Sequence, residues 1–320
     1  MTVMSGFPRL VPRSVARSEE LMRFPVAGDV TLSALTNWQD EPTARPLVVI
    51  VHGLTGHARS GYSYGMAEKV LAAGMNSVRL NLRGCGDGEY ANPEIYHAGV
   101  SPDLRAVLEE LQRNGHSEIY VVGFSLGGNV ALKLAGELGA EAAQLMAGIV
   151  AISAPIDLAA ACDSLRLGRM NRFYQYMFLR NLRSRVKIKH RLHPERIPID
   201  KIDVVRTLRD FDNEFTAPLA GYGHADNYYA KASALNELAS VRIPSLLIHA
   251  RDDTFVPFAS FERAEIMENP QLVFLPCDHG GHAGFIGSRA SSHRSPEDRG
   301  VFWAENRAIA FFRALASLHN

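Results

Sequence analysis

Charge of one sign, long apolar runs and cysteine are all scarce in this chain of 320 residues. Lys plus Arg is 34 and Asp plus Glu is 34, so no net basic field exists to draw it to nucleic acid, and no nucleic-acid partner is expected. The longest aliphatic run, residues 47–51, falls far short of the roughly 18–20 apolar residues that cross a bilayer. The N-terminal stretch, with Pro8, Pro12, Glu19 and Glu20, carries no continuous apolar segment, so no secretory signal is read and a cytoplasmic, reducing location is expected. Three cysteines at distant positions, Cys85, Cys162 and Cys277, support neither a disulfide framework nor a zinc site. What is present is globular in proportion: 47% hydrophobic and 21% charged, in a length that holds one large domain or two ordinary ones.

Short runs rich in Val, Ile and Leu at residues 47–52, 75–82, 119–124, 145–153 and 245–250 read as buried strands, and 271–276 resembles a sixth. Helical spacing separates them at 64–73, 102–113 and 126–138, and a last helix is expected near 302–317. Strands alternating with helices predict an α/β fold with a mostly parallel, doubly wound sheet, whose ligands lie beyond the carboxyl ends of the strands. Residues 23–36 read as an antiparallel hairpin turning at Ala27-Gly28-Asp29, an edge to the same sheet.

The alternation stops over residues 157–240, which predicts a helical cap inserted between two halves of a core, 1–156 and 241–320. Residues 166–196 hold ten Lys or Arg and one acid, Glu195, a local net charge of +9. Phe173, Tyr174, Tyr176, Met177, Phe178, Leu179 and Leu182 are interleaved with them, the pattern of a basic amphipathic helix. Such a helix either packs on the core with a solvated basic face or meets an anionic substrate or the surface of a membrane. Peripheral membrane contact through the basic cap is compatible with the sequence.

Gly123-Phe124-Ser125-Leu126-Gly127 matches G-x-S-x-G between an expected strand and an expected helix, the setting in which a sharp turn exposes a serine hydroxyl. The helix amino terminus favours an oxyanion beside Ser125, with the Leu126 N–H as one donor. His52-Gly53-Leu54-Thr55-Gly56 follows another strand and offers a second donor, Leu54, with Thr55 as the alternative one residue along. His52 reads as a residue that orders its own loop, and His57 has no assigned role. A serine hydroxyl needs a base, and the base a carboxylate to orient it. Two strand ends supply them. Asp253 is favoured as the acid, with Asp252 capping a loop; His282 is favoured as the base, with His279 as the structural alternative. A metal held by Asp278, His279 and His282 would leave Ser125 and Asp253 unexplained, so neither metal nor cofactor is expected.

With these residues in place, the sequence resembles the α/β-hydrolase superfamily, and within it the YheT-like branch related to animal abhydrolase-domain lipid hydrolases. Beyond the serine turn, the likeness rests on Asn81-Leu82-Arg83-Gly84-Cys85-Gly86, Tyr96-His97-Ala98-Gly99, Phe211-Asp212, Gly221-Tyr222, Asp226-Asn227-Tyr228-Tyr229, Asp252-Asp253 and residues 280–285. Thr254 stands where such loops often have Pro, and Ala283 where Val is frequent; residues 287–300 are unusually polar. The resemblance implies a sheet of about eight strands, Ser125, Asp253 and His282 as nucleophile, acid and base, and Leu54 and Leu126 as the oxyanion hole. The activity expected is hydrolysis of a small-molecule acyl ester through an acyl-enzyme. A lipase or phospholipase at anionic interfaces, a thioesterase or acyltransferase, and a catalytically silent ligand-binding protein are the alternatives.

Overall fold

Eight strands form a single sheet: β1 (Glu20–Val26), β2 (Val30–Asn37), β3 (Leu47–Val51), β4 (Asn76–Leu80), β5 (Ile119–Phe124), β6 (Gly148–Ile152), β7 (Ser245–Ala250) and β8 (Leu272–Cys277). Their order is β1-β2-β4-β3-β5-β6-β7-β8. The pairs β1/β2 and β2/β4 are antiparallel and all others are parallel. The computed structural model describes residues 12–27, 30–86, 93–287 and 298–318. The expected turn at Gly28-Asp29, the N-terminal Pro8 and most of the polar stretch 287–300 lie outside the described residues.

All six apolar runs are strands, and the hairpin supplies the antiparallel edge. Several boundaries of the six runs shift by one or two residues, and one shifts by three. Residues Ala142–Leu145 make a helical turn and β6 starts only at Gly148, because Leu145 and Met146 are apolar for burial in the core, which a helical turn achieves as well as a strand.

Alternation along β3 and β5 divides the interior in two. Val49, Val51 and Val121 pack with Leu104 and Leu108 of helix Ser101–Arg113 and with Val130 and Leu134 of helix Leu126–Leu138. Val48, Ile50 and Val122 face the other way, onto Met66 and Val70 of helix Gly61–Ala72 and Phe312 of helix Trp303–Ala316. Burial on both faces explains why β3 and β5 are continuous apolar runs. After β3 the chain moves outward to β4, then returns to place β5 on the other side of β3. The carboxyl ends of β3 and β5 therefore flank the point where strand order reverses, where open α/β sheets bind ligands.

The connection from β6 to β7 contains helices and no strand. Asp157 starts it by accepting the Ala160 N–H at 3.0 Å, an N-cap for helix Leu158–Ser164. Its two ends are tied together: the Leu158 N–H donates to Ser233 Oγ (3.1 Å) and the Leu235 N–H to the Ile156 carbonyl (3.0 Å). Asn129, on the helix after β5, clamps the exit, donating to the Ala232 carbonyl and accepting the Ala234 N–H, both at 2.8 Å.

The basic segment is one helix, Gly168–Leu192, about 37 Å long. Its inner stripe, Asn171, Gln175, Leu179, Leu182, Val186 and Lys189, is buried at three- and four-residue spacing. Leu167, just before the helix, and Met170, Phe173, Tyr176 and Met177 on it are exposed. The aromatic residues therefore serve two faces. Tyr174 and Phe178 turn inward onto Phe255, with ring centroids 4.8 and 5.8 Å apart. Among the described residues no helix is long and apolar enough to cross a membrane.

Candidate active site

Ser125 sits between β5 and the helix that follows, at φ 50° and ψ −120°, a strained conformation that costs on the order of 1–3 kcal/mol. Its surroundings leave no alternative. The Ser125 N–H donates to the Ile152 carbonyl at 2.8 Å, tying the turn to β6, and the Gly128 N–H donates back to the Ser125 carbonyl at 2.8 Å. A Cβ at Gly127 would lie 2.3 Å from the Val51 carbonyl oxygen, and one at Gly123 would lie 2.4 Å from the Gly127 backbone. Both glycines of the motif are thus required by close backbone packing.

Ser125 Oγ lies 2.9 Å from His282 Nε2, and His282 Nδ1 lies 2.9 Å from Asp253 Oδ2. The other carboxylate oxygen, Asp253 Oδ1, accepts the N–H groups of Phe255 (2.8 Å) and Val256 (3.2 Å). Burial pushes the Asp253 carboxyl upward, but the charge and hydrogen bond of His282, the nearby His249 and the Phe255 N–H outweigh it and hold it below the usual carboxylate value. An ionised carboxylate only accepts, so His282 Nδ1 carries the proton and the Nε2 lone pair faces the serine hydroxyl. That arrangement can draw a proton from Oγ. The Phe255 ring, 4.8 Å from the His282 ring between centroids, covers it from the side of the long helix.

The competing residues go elsewhere. Asp252 Oδ1 accepts the Gly280 and Gly281 N–H groups at 2.8 and 2.7 Å, capping the loop that presents His282. His279 is exposed and pairs with Asp252 at 3.5 Å, and Asp278 pairs with Arg251 at 3.5 Å. Asp278, His279 and His282 therefore do not converge. His52 is buried: Nε2 accepts the Leu82 N–H (3.1 Å), so Nδ1 donates to the Gly53 carbonyl (2.9 Å), and burial lowers its pKa to about 4. It orders its loop, as read from the sequence. Exposed His57 accepts the Arg59 N–H at 3.1 Å.

The β3 loop passes against the serine, where a Cβ at Gly53 would stand 3.0 Å from Ser125 Cβ. Within this loop the Thr55 N–H donates to the Tyr96 hydroxyl. Leu54 and Leu126, at the helix start, both line the pocket onto which Ser125 opens. Tyr96 carries no assigned role in the sequence, and its hydroxyl is what distinguishes the two candidate donors. His249 on β7 went unread in the sequence. That ring is buried, stacks on Phe261, donates from Nε2 to the Val256 carbonyl (3.1 Å) and turns Nδ1 to within 3.8 Å of Asp253 Oδ2. Burial lowers its pKa to about 4, so it stands neutral beside the carboxylate. A histidine in a strand, four residues before Asp253, was the available signal.

The pocket holds about 1060 Å³, counted out to its open mouth. Leu158, Phe178, Leu182, Phe211 and Phe255 give it an apolar wall. His97, Arg185, Lys189, Asp212, Tyr228 and Tyr229 are among its polar members, five of these six contributed by the helical segment.

The family description "alpha/beta hydrolase fold" matches residues 46–286, three quarters of the sequence. The chain belongs to the α/β-hydrolase fold family. Within that family it is 33% identical over 287 residues to the Escherichia coli (strain K12) protein named "Putative esterase YheT", covering 88% of this chain and 82% of that one. It is 29% identical over 257 residues to a monoacylglycerol lipase of Saccharomyces cerevisiae, covering 77% of this chain and 56% of the yeast protein. With the phospholipase ABHD3 of Mus musculus it shares 27% over 272 residues, 83% of this chain and 66% of that protein. Among solved structures, the esterase Pf2001 of Pyrococcus furiosus superposes with a TM-score of 0.61 at 19% identity, covering 96% of this chain and 95% of that one. At that identity the likeness speaks for the shared fold alone.

Proposed function

We propose that this protein is a serine carboxylester hydrolase acting on small-molecule acyl esters. The observation that carries the reading is the pair of 2.9 Å contacts that joins Ser125, His282 and Asp253 at an apolar pocket. Ser125 Oγ attacks the ester carbonyl while His282 Nε2 takes its proton, and Asp253 stabilises the imidazolium that forms. The oxyanion is held by the N–H groups of Leu54 and Leu126; Leu54 is preferred over Thr55 because Tyr96 already takes the Thr55 N–H. Collapse expels the alcohol, which leaves with the proton from His282. Water, activated by His282, then releases the acid and restores Ser125. No step draws on a cofactor. In this reading residues 1–156 and 241–320 are the catalytic core and 157–240 a cap that shapes the pocket. The names of the yeast and mouse relatives, a lipase and a phospholipase, fit acyl-ester chemistry.

The test is turnover of p-nitrophenyl esters by the wild type and by Ser125→Ala. Wild-type hydrolysis that falls by about 10⁴-fold or more in the variant is expected; a variant that retains normal turnover overturns the reading.

A second reading, action at an anionic lipid surface, has its own observation. Leu167, Met170, Phe173 and Tyr176 are 54–68% exposed at a spacing of three, on and just before a helix that carries Arg169, Arg172, Arg180 and Lys187 and no acid. Apolar side chains ringed by cations match the boundary of an anionic bilayer. Anionic vesicles should then raise hydrolysis of long-chain esters and leave acetyl esters unaffected, and a Phe173→Ser/Tyr176→Ser protein should lose the stimulation. Indifference to vesicles at every chain length removes this reading while leaving the esterase intact.

A further inference from the structure

The Tyr96-His97-Ala98-Gly99 and Asp226-Asn227-Tyr228-Tyr229 segments stand out in the sequence, and ester hydrolysis alone gives no work to His97 or Tyr228. Both line the pocket that Ser125 opens onto. Successive backbone donors set their polarity. The Ala98 N–H donates to the Tyr228 hydroxyl oxygen at 2.9 Å and the Gly99 N–H donates to His97 Nδ1 at 3.1 Å. Burial holds His97 neutral, with a pKa of about 4, so its one ring proton is on Nε2. The rings fix each other's direction, His97 standing edge-on to Tyr222 and Tyr228 with centroids 5.6 and 6.2 Å apart. Two groups that could each either donate or accept are thereby made into donors, and no acceptor among the described residues takes the His97 Nε2 proton or the Tyr228 hydroxyl proton. The nearby carboxylate is engaged elsewhere: Asp212 accepts from Tyr229 at 2.7 Å. Both donors line the pocket, so a ligand oxygen placed there would give each the acceptor that the protein does not supply.

We propose that His97 Nε2–H and Tyr228 Oη–H bind a substrate oxygen other than the carbonyl under attack, so that the preferred substrate is an ester with a second oxygen function. That oxygen belongs to the alcohol part or the acyl part of the ester. The inference rests on the esterase reading for its kinetic readout.

The experiment measures kcat/KM for propyl butanoate, glyceryl monobutanoate and propyl 3-hydroxybutanoate, which place the extra oxygen nowhere, on the alcohol side and on the acyl side. The wild type should favour at least one oxygenated ester over propyl butanoate by about tenfold or more. In Tyr228→Phe and His97→Phe that ratio should fall to within about twofold of parity. The arm that loses its advantage identifies the side that carries the oxygen. A wild-type ratio near one overturns the proposal, and so do variants that slow all three esters alike and keep the ratio, the mark of a purely structural role. Titration calorimetry of the three esters into Ser125→Ala protein makes the same comparison without turnover. Equal Kd values there overturn the proposal even if the wild type hydrolyses nothing, whereas a Kd preference without turnover upholds it and removes the esterase reading instead.

Discussion

The two sides of the pocket are held in different ways. On the strand side, the Ser125 N–H is tied to β6, Asp253 accepts two N–H groups of its own loop, Asp252 caps the loop that presents His282, and backbone packs closely at Gly123 and Gly127 on either side of the strained serine. On the helical side, Gly168–Leu192 rests on Phe255 through Tyr174 and Phe178 and on the Thr254 carbonyl through Asn171 (2.6 Å), and its outer face is exposed apolar and basic surface. Reacting groups must be held to within about half an ångström, whereas a wall that admits substrate needs only to return to place. The difference teaches that the two sides are held by different kinds of contact that meet in one loop, Asp253–Val256, where Phe255 serves both.

Breaking the strand side should have the largest effect. Asp253→Asn keeps the shape but lets an amide N–H face His282 Nδ1, so the imidazole loses the tautomer it needs; kcat on p-nitrophenyl butanoate should fall by about 10⁴-fold. Activity within tenfold of wild type would mean that His282 is oriented by something else.

Acid should separate the two sides with the opposite sign. His52 and His249 are buried with pKa values lowered to about 4, below the ordinary 6.5, so the unfolded chain binds their protons first. Stability is lost as pH falls from about 6.5 towards 4, by up to about 3 kcal/mol for each group. Asp212, on the helical side, has its pKa raised to about 6 by burial, against hydrogen bonds from Thr216 and Tyr229 that lower it. Its folded form takes the proton first, so this group regains up to about 3 kcal/mol as pH falls from about 6 to 4. Thermal unfolding against pH should show a net loss below pH 6.5 that is steeper in Asp212→Asn, because the opposing group is gone. A Tm that stays flat from pH 7 to 4.5 in both proteins contradicts this assignment.

A smaller effect sharpens the contrast. Asn171→Ala removes donors to the Thr254 and Ser164 carbonyls, worth about 1–2 kcal/mol. Hydrogen exchange should quicken across the first turns of Gly168–Leu192 and stay unchanged in β5 and the helix after it. Equal acceleration in both regions would show that the two sides open as one unit.

Legibility in the sequence follows the same division. Strand runs, the hairpin and the serine turn could be read because each depends on local rules: continuous apolar residues for two-sided burial, and glycine where backbones touch. The choice of Asp253 over Asp252 and of His282 over His279 came from their places in the two loops, and each alternative has a loop-capping or exposed role in the fold. The oxyanion donor stayed open between Leu54 and Thr55, since the Tyr96 hydroxyl that occupies the Thr55 N–H lies 41 residues away. The donor character of His97 and Tyr228 was equally hidden, because it is set by which side-chain atoms the Ala98 and Gly99 N–H groups meet. The charge of the long helix was plain, but the burial of Lys189, 1% exposed, among mostly exposed or half-buried cations of the same helix was not.

The tied neck between Ile156–Leu158 and Ser233–Leu235 has a consequence for how this molecule can change. Whatever hangs between those points enters and leaves the sheet at one place, so the closure entropy of the loop varies only with the logarithm of its length, about 0.6 kcal/mol per doubling. A change in the length of the hanging segment therefore adds little closure cost, provided that Asn129, Ser233 and the Ile156 carbonyl keep their bonds and that the apolar side chains it shares with the core are kept. The tied base, together with the apolar underside of the segment, is what a graft of a foreign segment would have to copy.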